Sequence, residues 1–263
     1  MLVAAHVVEV LLLGLGPFLF ARAFARRWER PLGIFGVGLI CFVFAEVARI
    51  VIARGLGALF ESGALPMPSD ETTLVWVSAS LAGVVAALTD QGFRVMALRR
   101  WVEPCDGRTG ALLGLGHGGG EAMLSAVLVI VMAGIALVGE NSTFEDLEAM
   151  GFEGRAAVRV GMKVLAWWEA SPTDALLAAG QQLCLVVMHL GLSVAVATGL
   201  ARRASGWVAA AVLLHALVAT LLSWIASKTP GLGIELVVHG AAALVGVGFV
   251  AAASRGTTDR KTA

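Results

Sequence analysis

Charge is scarce in this 263-residue chain. Only 14% of residues are Asp, Glu, Lys or Arg, and 19 basic residues cancel 19 acidic ones. A balance of zero leaves no electrostatic footprint for nucleic acid or for an acidic partner. Cysteine is scarce too. Cys41, Cys105 and Cys184 stand far apart with no CxxC spacing, which excludes a disulfide framework and a zinc knuckle. Cys41 and Cys184 read as small buried apolar residues. The opening Met-Leu-Val-Ala-Ala-His has no basic n-region, so the first apolar run reads as a membrane span rather than a cleaved signal peptide. No internal repeat, soluble domain or long low-complexity tract is visible.

What the chain has is apolar surface: 58% of it is hydrophobic, with a mean hydropathy of +0.86. That is the profile of a polytopic membrane protein. At ~20 residues per crossing, seven spans fit the apolar runs near 2–21, 31–53, 74–98, 110–138, 176–200, 206–227 and 232–253. The expected fold is an all-α transmembrane bundle.

The connections alternate in charge. Arg22, Arg26, Arg27 and Arg30 follow the first span, Arg99, Arg100 and Arg108 the third, Arg202 and Arg203 the fifth, and Arg255, Arg260 and Lys261 the seventh. The other side carries Glu61, Asp70 and Glu71, then Glu140, Glu145, Asp146, Glu148, Glu153, Glu169 and Asp174. The positive-inside rule therefore puts the N-terminus outside and the C-terminus in the cytoplasm. Trp28, Trp101 and Trp207 then fall at the inner boundary, and Trp76, Trp167, Trp168 and Trp224 at the outer one. Residues 1–254 form one transmembrane helical domain with a long extracytoplasmic loop at about 140–175, and 255–263 a polar cytoplasmic tail. Within the loop, Ala156 to Trp168 sets Val158, Met162, Leu165 and Trp168 against Arg155, Arg159 and Lys163. That pattern fits a helix on the outer surface or a short cap on the bundle.

Ionisable groups at bilayer depth are costly, so each one inside a span is a candidate site residue. They are Glu9, Glu46, Arg49, Asp90, Arg94, His117, Glu121, His189, His215, Glu235 and His239. Helical spacing pairs Glu46 with Arg49, Asp90 with Arg94, and Glu235 with His239. At a ~1.5 Å rise per residue, Asp90 and His117 lie ~12 Å from the cytoplasmic end of their spans, His215 ~14 Å and His189 ~18 Å. Four spans thus bring polar groups to one inner-leaflet layer. Glu46, Arg49 and Glu235 compute nearer the outer half and read as structural pairs.

The densest motif is Gly114-Leu115-Gly116-His117-Gly118-Gly119-Gly120-Glu121-Ala122. Its spacing puts His117 and Glu121 on one helical face, a turn apart. Its glycines permit close approach of other helices. Histidines and a carboxylate at one depth can hold a metal such as zinc, run acid/base chemistry on water, or lock the bundle with interhelical hydrogen bonds. His-Gly-Gly-Gly also looks like a lipase oxyanion loop, but the Gly-x-Ser-x-Gly elbow that such an enzyme needs is missing.

This nonamer closely resembles the Gly-His-Gly-Gly-x-Glu-Ala signature of the YhfC family of membrane peptidases, relatives of the CAAX-type (CPBP) intramembrane endopeptidases. Phe42-Val43-Phe44-Ala45-Glu46, Asp106-Gly107 and Leu213-Leu214-His215-Ala216-Leu217-Val218 are similar to further blocks of that family. The resemblance implies a membrane hydrolase in the prokaryotic cell membrane, embedded in the lipid bilayer and acting on a peptide or transmembrane helix. It also implies site residues. Asp90 is the water-activating carboxylate and Arg94 its charge partner. His117 and Glu121 form the core, with His189 and His215 stabilising water or the transition state. Departures from the pattern are specific: Asp90-Gln91-Gly92-Phe93-Arg94 stands where the family has Glu-Glu-x-x-Arg, Gln181 where it is acidic, and Ala219 where it has Asp. An active peptidase and a weakened relative are both compatible with these changes. The motif leaves open whether a cofactor is bound, and a divalent metal such as zinc, with His117, Glu121, His189 and His215 as candidate ligands, is the metal alternative. A non-catalytic adaptor binding helices or peptides in the same cavity is the rival from another class. A proton- or metal-linked carrier comes last, for want of inverted repeats and broken helices.

Overall fold

The computed structural model describes residues 1–139, 146, 149, 151, 154–228 and 232–255. Among these, the helices in chain order are α1 (Leu2–Trp28), α2 (Gly33–Glu61), α3 (Glu71–Arg100), α4 (Gly107–Gly139), α5 (Arg155–Glu169), α6 (Pro172–Ala201), α7 (Ser205–Ala226) and α8 (Leu232–Arg255), and no strand occurs. All except α5 are long and apolar enough to cross a membrane. The seven expected spans coincide with these seven helices. The main difference is length: α1 runs on to Trp28 and α2 to Glu61. An apolar window closes at the first charges, whereas backbone hydrogen bonding continues through them. Glu140, Glu145, Glu148 and Glu153 of the expected loop, and the tail after Arg255, lie outside the described residues.

Local chemistry sets several helix ends. Glu29, in the left-handed region at φ 53°, closes α1. Asp70 caps α3, its carboxylate accepting from the Thr73 amide at 2.8 Å. Asp106 does the same for α4 through Thr109 at 2.9 Å, and its other oxygen pairs with Arg30 from the α1–α2 connection. That ties the start of α4 to its neighbours. Ser171 and Asp174 form a capping box on α6, with Pro172 at the first position.

Packing rests on narrow stripes of small residues. On α1 the buried positions are Ala5, Glu9, Leu13, Pro17, Ala21 and Ala25, every fourth residue. The rest of the surface stays apolar: Val7, Leu11, Leu15, Ile50, Val51, Val127, Ile130 and Leu244 are all exposed. On a soluble monomer that belt would be an aggregation face; here it is the lipid contact of an integral membrane protein. Among apolar surroundings, helix association depends on close packing rather than on burial from water. Tryptophans gather at the two ends. Trp76 of α3 stacks on Trp224 of α7 at 4.8 Å, and Trp207 of α7 meets Phe249 of α8 at 6.1 Å.

Helix α4 is the post around which the bundle closes. Its main partner is α6, with α2 and α1 on other sides. A Cβ on Gly114 would come within 2.6 Å of the His189 carbonyl oxygen of α6, and one on Gly118 within 2.9 Å of the His189 Cβ. Gly116 faces α2 in the same way, against the Phe35 carbonyl. The glycine-rich motif therefore lets two neighbouring helices reach α4 backbone at the level of His117.

Helix α5 docks through Val164, which is buried beside Gly139 of α4, and through Trp168, whose indole N–H donates to the Ala136 carbonyl at 3.3 Å. Val158, Met162 and Leu165, read with Trp168 as one apolar face, are exposed. The bundle takes the Val164 side because Gly139 leaves room there. Near the same end, His6 stacks on Trp167 at 3.9 Å and joins Glu9 at 2.7 Å, which gives that buried carboxylate a partner. Of the cysteines, Cys41 is buried and bonds the Phe93 carbonyl at 3.7 Å, while Cys184 is only half-buried on the flank of α6. The Glu235–His239 pairing is not between side chains: His239 Nδ1 donates to the Glu235 backbone carbonyl at 2.6 Å.

Candidate active site

Five helices deliver polar side chains to one buried cluster. Asp90 on α3 is its hub and is only 1% exposed. Its Oδ1 accepts from Arg49 Nη2 of α2 at 2.9 Å. Its Oδ2 lies 3.0 Å from His117 Nε2 of α4, 3.6 Å from His215 Nε2 of α7 and 3.8 Å from Arg94 Nη2 one turn along α3. All six residues proposed from the sequence are therefore in one place: Asp90, Arg94, His117, Glu121, His189 and His215. Four of them, Asp90, Arg94, His117 and His189, are at most 2% exposed.

Their pairing differs from the expected one. His117 and Glu121 share a face of α4, yet neither ring nitrogen of His117 has a hydrogen-bond partner. Glu121 instead binds across to α6, where its Oε2 is 2.9 Å from His189 Nε2. The other nitrogen of His189, Nδ1, sits 2.5 Å from Arg94 Nη2. A guanidinium only donates, so Nδ1 accepts and Nε2 carries the proton given to Glu121. Arg94, His189 and Glu121 form a chain with fixed proton positions. The histidine rings stand close: 5.2 Å between the centroids of His117 and His189, and 5.3 Å between His189 and His215. Phe42 sits edge-on to His117 at 5.8 Å, and it also fills the space beside Gly120.

Two residues of the cluster were not expected in it. Arg49 was read as the partner of Glu46 in the outer half. It does hold Glu46, at 2.9 Å, but its second nitrogen reaches Asp90. Side chains on a helix lean toward its N-terminus. That carries Arg49 back along α2 toward the layer, while Asp90, on an antiparallel helix, leans to meet it. Side-chain direction was the available signal, and residue depth alone missed it. Gln91 is the second. It is 1% exposed and its Nε2 lies 3.2 Å from His215 Nδ1, while its Oε1 has no partner. Gln181, also marked as a departure, is buried on α6.

The donor set fits a divalent ion. One atom each from Asp90, His117 and His189 lies within 4.8 Å of the others. The orphaned His117 Nε2, 3.0 Å from a carboxylate oxygen without hydrogen-bond alignment, is placed as two ligands of one ion would be. A tetrahedral site with bonds of ~2.0–2.1 Å holds its ligand atoms ~3.3–3.4 Å apart. The 3.0 and 3.6 Å separations of His117 and His215 from Asp90 Oδ2 bracket that value. His189 is the poorer third ligand, because Arg94 and Glu121 already occupy both its nitrogens. His215 is the alternative, its Nε2 lying 3.6 Å from Asp90 Oδ2. Turning the Gln91 amide over brings its unpartnered oxygen to His215 Nδ1–H and frees Nε2.

Comparison with known proteins identifies the family of the chain. The model of the family described as YhfC intramembrane metalloprotease matches residues 9–240, from α1 into α8. The chain belongs to that family. No curated protein and no solved structure matches it.

Proposed function

We propose that the protein is an intramembrane endopeptidase that cleaves a peptide bond inside the bundle, with Asp90, His117 and His215 as the site of a divalent metal, zinc being the ion that suits two imidazoles and one carboxylate. The observation that carries this reading is the adjacency of two differently wired groups. One is a carboxylate facing two histidines whose Nε2 atoms converge on a single oxygen. The other is Glu121, a third exposed, on a histidine with a fixed proton.

The ion would supply Lewis acidity toward a peptide carbonyl and lower the pKa of a water. The chain supplies the rest. Glu121 takes the proton of the attacking water and passes it to the leaving amine. It suits that role because it is the carboxylate of the cluster with an open flank. His189 holds it through Nε2–H, and Arg94 fixes the tautomer of His189 from behind. Arg49 grips Asp90 Oδ1, so that Oδ2 stays turned to the histidines. Gln91 orients His215. The neutral Gln91 and the short Asp90 are then consistent parts of one site: Arg49 reaches the shorter carboxylate, and the Gln91 amide, turned over, accepts from His215 Nδ1–H.

Cleavage of a reporter transmembrane peptide by purified protein in proteoliposomes, with and without chelator, tests the reading. We expect cleavage that chelation stops, that zinc restores and that Glu121→Gln lacks. A folded protein that binds the reporter without cleaving it, with zinc present, overturns the peptidase reading in favour of an adaptor.

A further inference from the structure

On the arginine-bearing end of the bundle a groove of about 900 Å³ opens between the last turns of α3 and α6 and the first turns of α7. Its walls are apolar, with Leu98, Leu200, Val208 and Val212 among them. It opens on the outer flank, where Leu213 is 70% exposed. Its size is at the upper end of the range that encloses a drug-sized ligand, enough for an acyl chain. Arg99 and Arg203 line the mouth, both exposed, and no acidic residue is among the lining residues. Glu103 borders only the neighbouring hollow beside Arg99. Ser205 opens α7 at the groove, where the preceding Ala204 gives the first-turn amides no side-chain cap. Arg203 has φ 53°, a left-handed position in which glycine or asparagine is the easier choice. Here it carries a guanidinium.

We propose that this groove binds one anionic phospholipid, an acyl chain lying along Leu200, Val208 and Val212 and the headgroup phosphate held between Arg99 and Arg203. The occupant follows from charge complementarity. An apolar channel on the lipid-facing flank ends, at the level of the helix termini, in two guanidiniums that make no ion pair among the described residues. Basic recesses between transmembrane helices select anionic headgroups in this way, and arginine forks match phosphate oxygens in pairs. No residue of the Asp90 cluster lines the groove, so the proposal stands whether or not the chain cleaves peptides.

The test is lipid retention by the whole purified protein. Native mass spectrometry in detergent would count lipids kept from a mixture of phosphatidylglycerol and phosphatidylcholine. We expect one phosphatidylglycerol per chain and no retained phosphatidylcholine. R99Q/R203Q should weaken phosphatidylglycerol binding about 30-fold, from the usual contribution of two basic side chains. Ala209→Trp, which fills the groove and leaves both arginines, should also lose the lipid, and Arg203→Gly, which suits the backbone at φ 53°, controls for folding while halving the charge. Equal retention by R99Q/R203Q and wild type would overturn the proposal, as would equal binding of both lipids. Displacement by micromolar inorganic phosphate, or by an added acidic peptide alone, would assign the groove to another occupant and overturn it as well.

Discussion

Arg49 Nη2 donates to Asp90 Oδ1 at 2.9 Å, joining α2 to α3 across 41 positions of chain. The same guanidinium holds Glu46 with its other nitrogen. The Arg49 side chain is 32% exposed where that of Asp90 is 2%, so it links the buried cluster to the flank of the bundle. Arg49→Gln should leave the fold intact and lower peptide cleavage and metal affinity about 10–100-fold, as expected for a group that orients a ligand. Cleavage kinetics and metal titration on the same preparation measure both. Unaltered values would return Arg49 to a purely structural pair with Glu46.

Metal content separates the two candidate third ligands. His117→Ala and His215→Ala should each lose bound zinc, measured by elemental analysis. His189→Gln should keep it while cleavage falls. The reason is local: both nitrogens of His189 are already hydrogen-bonded, to Arg94 and Glu121, whereas neither nitrogen of His117 has a hydrogen-bond partner. Zinc lost from His189→Gln and kept in His215→Ala would exchange their roles.

Glu121→Gln removes the proton carrier but not the hydrogen bond, because an amide oxygen still accepts from His189. Cleavage should fall by about 10²–10⁴-fold, with thermal unfolding in detergent nearly unchanged. A variant retaining full activity would exclude Glu121 as the base.

Lengthening the hub should harm rather than help. Asp90 is enclosed by Arg49, Arg94, His117 and His215, and an added methylene in such a space costs about 1–3 kcal/mol. A carboxylate misplaced by about 1 Å can also lose on the order of a hundredfold in rate. The double variant Asp90→Glu, Gln91→Glu is therefore expected to unfold at lower temperature and to cleave more slowly. Faster cleavage than wild type would mark the native chain as a weakened enzyme.

Gly114→Leu should be among the most damaging changes remote from any proton transfer. Its side chain would meet α6 backbone that a Cβ already approaches to 2.6 Å, forcing α4 and α6 apart by His189. Loss of thermal stability together with loss of metal is the expected outcome, and Gly134→Leu, at a glycine with open space around it, is the control.

Much of this protein was legible along the chain because a membrane span is a local property. About 20 apolar residues must satisfy their own backbone hydrogen bonds, so hydropathy marked all seven membrane-crossing helices. The rise per residue was enough to put Asp90, His117, His189 and His215 in one layer. The amphipathic pattern of Val158, Met162 and Leu165 left open which side of α5 docks, since an apolar stripe near a membrane can face lipid as well as protein.

The sequence by itself determined the all-helical class, the spans, the family signature and the depth at which polar groups gather. Only the tertiary structure decided who meets whom: Glu121 with His189 rather than His117, Arg49 with Asp90, Gln91 with His215. Depth depends on position along a helix axis, which counting residues provides. Pairing depends on how each helix is rotated about that axis and which way its side chains lean, and both are set by packing. Glycines on α4 determine how closely its neighbours can come, and that approach turns a shared layer into a shared site.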